Sequence, residues 1–136
     1  MAKTFMQMVA EAREGIPLIS PEQARQALQA DPATLVIEVR DARDIAATGL
    51  IPGAARISAG MLALRADREM PESLRDPRLQ DRDRPIITTC GVGLLSSLAA
   101  RTLKEMGFAN VAILDGGTQA WREAGLPVEP APEDQQ

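Results

Sequence analysis

The chain has 136 residues, with 15 Lys and Arg against 19 Asp and Glu for a formal charge of −4, no histidine and one cysteine. That length predicts one compact domain that removes about two thirds of its unfolded surface from water, with no need of a disulfide or metal staple. A lone Cys90 excludes an internal disulfide, a CxxC redox pair and a multi-cysteine metal centre, and the lack of histidine excludes Ser-His-Asp or Cys-His catalysis and histidine-ligated metals. Chemistry must therefore run on the thiol, carboxylates, hydroxyls, Lys, Arg or backbone dipoles, and neither a metal nor a cofactor is expected.

The acidic balance, with no stripe of Lys and Arg, argues against nucleic acid as a partner. No apolar run approaches the roughly 20 residues needed to span a bilayer, so no membrane association is expected. Without a basic start followed by an apolar segment, and with a free thiol, the expected compartment is the cytoplasm. The three aromatics, Phe5, Phe108 and Trp121, are too few for a stacking platform.

In chain order, residues 1–17 form an amphipathic arm or helix, expected to pack on the domain or on a second copy in a homodimer. Ser20-Pro21-Glu22-Gln23 carries a capping box with proline at the first helical position, starting a helix that runs to about Ala30, where Asp31-Pro32 stops it. Leu35 to Val39 reads as a buried strand interrupted by Glu38, followed by a short helix over 41–46. Gly49 to Ala54 is a Pro/Gly turn into a second short strand at 55–57. Residues 59–70 suggest a half-exposed helix, with Arg65 on its solvated face. The polar stretch from Pro71 to Arg84 reads as a surface loop whose charges face water.

Pro85 to Thr89 is the best strand in the chain and delivers Cys90 at its carboxyl end. Leu95, Leu98, Ala99, Leu103 and Met106 mark one helix face, closed by Gly107 as a left-handed cap. A strand at 110–114, the turn Asp115-Gly116-Gly117 and a helix over 118–124 follow, with Trp121 and Met106 in the core. The domain spans 18–128, and the proline- and acid-rich segment 129–136 is expected to be a disordered tail. Alternating strands and helices predict an α/β fold around a mostly parallel sheet.

The chemistry concentrates at strand, Cys90-Gly91-Val92-Gly93-Leu94, helix. In open parallel sheets ligands bind beyond the carboxyl ends of the strands. Two glycines allow several N–H groups to turn into one concavity, and the helix start adds positive dipole, a combination that favours an anion such as a thiolate. The alternative is that Cys90 is an apolar core residue and the glycines only make a turn.

Four motifs tip that balance. Val36-Ile37-Glu38-Val39-Arg40, Gly49-Leu50-Ile51-Pro52-Gly53-Ala54, the Cys90 loop with Gly93 and Ser96, and Leu114 to Trp121 with Gly125-Leu126-Pro127-Val128 together resemble the single-domain rhodanese family. The resemblance implies a three-layer α/β fold, a mainly parallel five-stranded sheet flanked by helices, and a sulfurtransferase or sulfur carrier that forms a persulfide on Cys90. Gly91, Val92, Gly93, Leu94, Leu95 and Ser96 would then cradle the substrate, a small sulfur donor, before transfer to cyanide, a thiol or a protein acceptor. Leu95 stands where thiosulfate-using members carry arginine, and Ser96 where the related phosphatases place theirs, so thiosulfate activity is expected to be weak and phosphatase activity absent. Leu50 replaces the family's histidine, which with Leu95 predicts an apolar pocket mouth. Arg40 is expected to pair with Asp44 at helical spacing. A catalytically weak binding or regulatory module on the same fold is the competing reading.

Overall fold

The computed structural model describes residues 2–131. Helix α1 (Phe5–Ala12) is followed by β1 (Leu18–Ile19), α2 (Pro21–Ala30), β2 (Leu35–Glu38), α3 (Ala42–Thr48), β3 (Ala55–Arg56), α4 (Leu62–Ala66), a 3-10 turn (Pro77–Leu79), β4 (Ile86–Thr89), α5 (Leu95–Glu105), β5 (Val111–Leu114) and α6 (Gly117–Glu123). The five strands form one parallel sheet in the order β1-β5-β4-β2-β3. Central β2 and β4 run in register from Leu35 opposite Ile86 to Glu38 opposite Thr89.

Strand alternation sorts the core into two layers. Leu35, Ile37 and Val39, with Ile86, Cys90, Val111 and Ile113, pack on Ala99, Ala100 and Leu103 of α5 and on Leu62 and Ala66 of α4. On the opposite face Val36, Ile87 and Leu114 meet Ala24 of α2 and Trp121 of α6. Parallel strands covered on both faces read as near-continuous apolar runs, which is why the sequence displays them clearly. Met106 packs against the first layer, as expected.

The capping box of α2 forms as the sequence predicts, with Gln23 N–H on Ser20 Oγ at 3.1 Å and Ser20 N–H on Gln23 Oε1 at 2.8 Å. Thr4 and Gln7 make the same pair at the start of α1. The arm docks on its own domain: Val9 and Ala12 are buried, and Arg101 of α5 donates to the carbonyls of Ala12 and Glu14. Phe5, Met6 and Met8 remain exposed on its outer side.

Several expectations need correction. The helix expected over 59–70 shrinks to the five residues of α4, because Asp67 adopts extended backbone and closes it. Two-residue β1 was not foreseen, being too short to show a period. Of the expected tail, Glu129 exchanges both backbone hydrogen bonds with Leu50, at 2.8 and 2.9 Å, whereas 132–136 lie outside the described residues. That bridge buries Leu50 to 2 % exposure, and Leu50 lines neither cavity described below, so it does not shape a pocket mouth.

Candidate functional site

Strand β4 carries its side chains alternately to the two faces, which sets Thr88 and Cys90 toward α5 and Thr89 toward α6. Thr88 Oγ1 donates to Ser96 O at 2.9 Å, tying the strand end to the first turn of α5. Between them the chain reverses through Gly93 at φ +92°, where a Cβ would meet Gly116 N at 3.2 Å and Leu114 O at 3.3 Å. Only a residue without a side chain seats the loop this close to the β5–α6 turn.

Cys90 is 2 % exposed, and its Sγ accepts the N–H of Gly93 at 3.2 Å and of Ser96 at 3.3 Å, with Ser96 Oγ at 3.4 Å. The Ser96 N–H is one of the donors that a helix start leaves without an intrahelical partner, and here sulfur fills that role. Burial alone fits the structural reading of Cys90; two N–H groups aimed at sulfur fit an anion. The N–H groups of Gly91, Val92 and Leu94 have no backbone acceptor among the described residues. Val92 and Leu95 are half-exposed at the rim, at 49 % and 45 %, so Leu95 is not core packing.

The loop is clamped from behind by the start of α6. Thr118 N–H donates to Cys90 O at 2.8 Å and Gln119 N–H to Gly91 O at 3.0 Å, and a Cβ on Gly117 would stand 2.6 Å from Cys90 O. Arg13, just past α1, braces the other side: its Nε donates to Ser97 Oγ at 2.9 Å and its Nη2 to Gly93 O at 3.2 Å, while Ser97 Oγ donates to the same carbonyl at 2.7 Å. Sequence reasoning missed Arg13, since nothing local signals a contact eighty residues away.

Sequence and fold comparisons place the chain in a family. The model of the Rhodanese-like domain family matches residues 20–124. The chain belongs to the rhodanese-like family. It is 32 % identical over 113 residues to the thiosulfate sulfurtransferase GlpE of Actinobacillus succinogenes, covering 83 % of this chain and 90 % of that protein. A Rhodopseudomonas palustris protein of unknown function, called a possible tyrosine phosphatase, superposes with a TM-score of 0.85 at 34 % identity, covering 95 % of this chain and 96 % of that one. The polysulfide-sulfur transferase homodimer of Wolinella succinogenes superposes at 0.73 with 28 % identity, covering 97 % and 91 %.

The rhodanese-like strand motif has a physical role here. Glu38, wholly buried at the end of β2, holds Arg40 through Nη2 at 2.7 Å and Nε at 3.1 Å, and it accepts the Thr118 hydroxyl at 3.1 Å. Thr118 Oγ1 lies 3.0 Å from Thr89 Oγ1. This network joins β2, β4 and α6 directly behind the Cys90 loop. Arg40 thus pairs with Glu38, while Asp44 contributes only its backbone carbonyl, at 3.3 Å. Arg101, spent on the α1 carbonyls, supplies no cation to the loop.

Two cavities flank the site. The smaller, about 360 Å³, is lined by Arg40, Thr48, Gly91, Gln119, Arg122 and Glu123. The larger, about 800 Å³, lies at the carboxyl ends of β2 and β3, and Arg40 borders both. Among the described residues no group of three or more His, Cys, Asp and Glu is placed to hold a metal, and no helix is long and apolar enough to cross a membrane.

Proposed function

We propose that this rhodanese-like chain is a sulfurtransferase that carries sulfane sulfur as a persulfide on Cys90. The observation that carries the reading is the convergence of the Gly93 and Ser96 N–H groups on a buried Sγ at 3.2 and 3.3 Å. These donors stabilise the thiolate, and the Ser96 hydroxyl can turn to donate a third bond.

The thiolate attacks the outer sulfur of a persulfide donor R–S–SH. A bond forms between Cys90 Sγ and that sulfur, the donor S–S bond breaks, and RS⁻ leaves with the electron pair. An acceptor thiolate then attacks the terminal sulfur of Cys90–S–SH, leaves as the new persulfide and restores the Cys90 thiolate. When the terminal sulfur carries the charge, the loop N–H groups of Gly91, Val92 and Leu94, which have no backbone acceptor among the described residues, are its candidate donors. No histidine is needed at any step, which matches the composition.

The relatives' name makes thiosulfate the rival donor. The exposed Leu95 offers no forked donors to its sulfonate, so loading from a persulfide is expected to outpace loading from thiosulfate. A phosphatase reading fares worse, because Ser96 is wholly buried and its N–H and hydroxyl are already engaged with Cys90. A reducing cytoplasm suits a lone thiol and belongs to the same proposal.

Intact-mass measurement after incubation with a small-molecule persulfide or with thiosulfate tests it. Wild type should gain one sulfur atom, faster from the persulfide, and Cys90→Ser should gain none. No gain from either donor, or equal gain by Cys90→Ser, would overturn the proposal, and the first of these results would favour a binding module.

A further inference from the structure

The larger cavity has a composition at odds with the rest of the molecule. In a chain of net charge −4, five arginines line it: Arg40, Arg56, Arg65, Arg75 and Arg78. Two carboxylates also line it, Asp41 and Asp76; Asp76 is bound to Arg78 at 2.7 Å, and Arg40 is held by the buried Glu38 at 2.7 Å, which leaves Arg65 and Arg75 with only carbonyl acceptors. Arg65 spends an Nη1 bond on Leu74 O at 2.9 Å, and Arg75 makes one long bond, 3.4 Å, to Arg68 O. Arg75 Nε is buried with no hydrogen-bond partner, although such a donor ordinarily finds one. Guanidinium groups share a volume of about 800 Å³ at a cost in mutual repulsion that an anion relieves.

The position matters as much as the charge. Arg40 and Asp41 follow β2, and Ile57 and Ser58 follow β3, so the cavity occupies the carboxyl edge of the sheet, where ligands of open parallel sheets bind. No residue of the Cys90 loop lines it. Arg40 connects the two, its Cδ lying 3.8 Å from where a Gly91 Cβ would stand.

We propose that this cavity binds an oligoanionic small molecule, one bearing two or more phosphate or carboxylate groups, and holds the anionic body of the thiol that exchanges sulfur with Cys90. The second half rests on the persulfide reading above; the binding itself does not. Charge missing from the Cys90 loop is thereby provided one strand away, by side chains that grip the carrier rather than the transferred sulfur.

Titration calorimetry on the full chain tests the binding, with tripolyphosphate and citrate as the phosphate and carboxylate probes. At least one should bind one-to-one, weakening as salt rises. Arg65→Gln with Arg75→Gln should weaken it by about tenfold or more. Arg78→Gln, at an exposed position, should weaken it without threatening the fold, and Cys90→Ser should bind as wild type does. No one-to-one binding, indifference to the arginine substitutions, or loss of binding in Cys90→Ser would each overturn the site. For the carrier role, the bound probe should slow sulfur loading from a persulfide bearing two carboxylates and leave loading from an uncharged persulfide unchanged. Equal slowing of both would overturn that role, whereas a chain that binds the probe and never loads sulfur would sink the persulfide reading alone.

Discussion

Asp76 shows how a single side chain organises the arginine-rich segment. Its carboxylate accepts Arg78 Nε at 3.0 Å, Nη2 at 2.7 Å and the Arg78 N–H at 2.9 Å. The Arg78 guanidinium holds the Asp76 carboxyl below its ordinary value of 3.8, against the opposing effect of partial burial. A carboxyl depressed in the folded state contributes stability that is complete above its unfolded value and lost as pH falls through the folded one. Urea denaturation of wild type and Asp76→Asn should therefore differ by a constant amount above about pH 5 and converge as pH drops below about 4. A gap that widens on acidification would contradict the assignment. At this scale the sequence was legible for the place of Cys90 at the carboxyl end of β4 and misleading for Arg40. Helical spacing suggested Asp44 as its partner, but Arg40 precedes α3, and in extended backbone residues two apart share a face. Glu38, on that face, takes the guanidinium instead.

Among the elements, the junction of β5 and α6 governs the geometry of the thiol. The first N–H groups of α6 hold the carbonyls of Cys90 and Gly91, which leaves no room for a side chain at Gly117: a Cβ would meet Cys90 O at 2.6 Å and Gly91 O at 2.7 Å, with φ at +65°. Gly117→Ala should push the loop away and slow sulfur loading by about a hundredfold. Gly125→Ala is the control, because φ is +79° there yet nothing lies within 4 Å. It should cost about 1 kcal/mol in stability from backbone strain alone and leave loading intact. If both variants lose stability and loading alike, the clamp is not specific. The Gly-Gly turn was visible in the sequence, but its partner across the sheet was not. The segment 71–84 was read as a solvated face, because polarity alone cannot distinguish a charge in water from one satisfied by protein. Arg68 holds Gln80 O, and Arg82 holds the carbonyls of Ala66, Leu79 and Met106 while lying 4.5 Å from the Phe108 ring centroid. Guanidinium groups, with five donors each, are the side chains best able to knit irregular backbone.

Across the whole molecule, the parallel sheet was legible because both its faces are covered, so its central strands are wholly buried and rich in aliphatic side chains, broken only by Glu38, Thr88 and Thr89 at the carboxyl ends. The arm was legible as an amphipathic helix but its seat was not, because docking on its own domain depends on an α5 side chain that reaches backbone carbonyls. Arg101 places a cation where α1 ends, on the carbonyls of Ala12 and Glu14, a favourable position for the helix dipole. The arm in turn carries Arg13 to Gly93 and Ser97, so a surface helix and the thiol loop are parts of one mechanical unit. Arg101→Ala removes the charge-assisted bonds at the arm's end, and the amides of α1 should exchange with solvent about tenfold faster or more. Amides of β4 and β5 should keep their protection, since the sheet core does not pass through Arg101. Sulfur loading should slow as well, because an undocked arm withdraws Arg13 from the Gly93 carbonyl. Equal loss of protection in α1, β4 and β5 would show that arm and core unfold as one cooperative unit, and unchanged loading despite a freed arm would show that Ser97 and the α6 clamp hold the loop without Arg13.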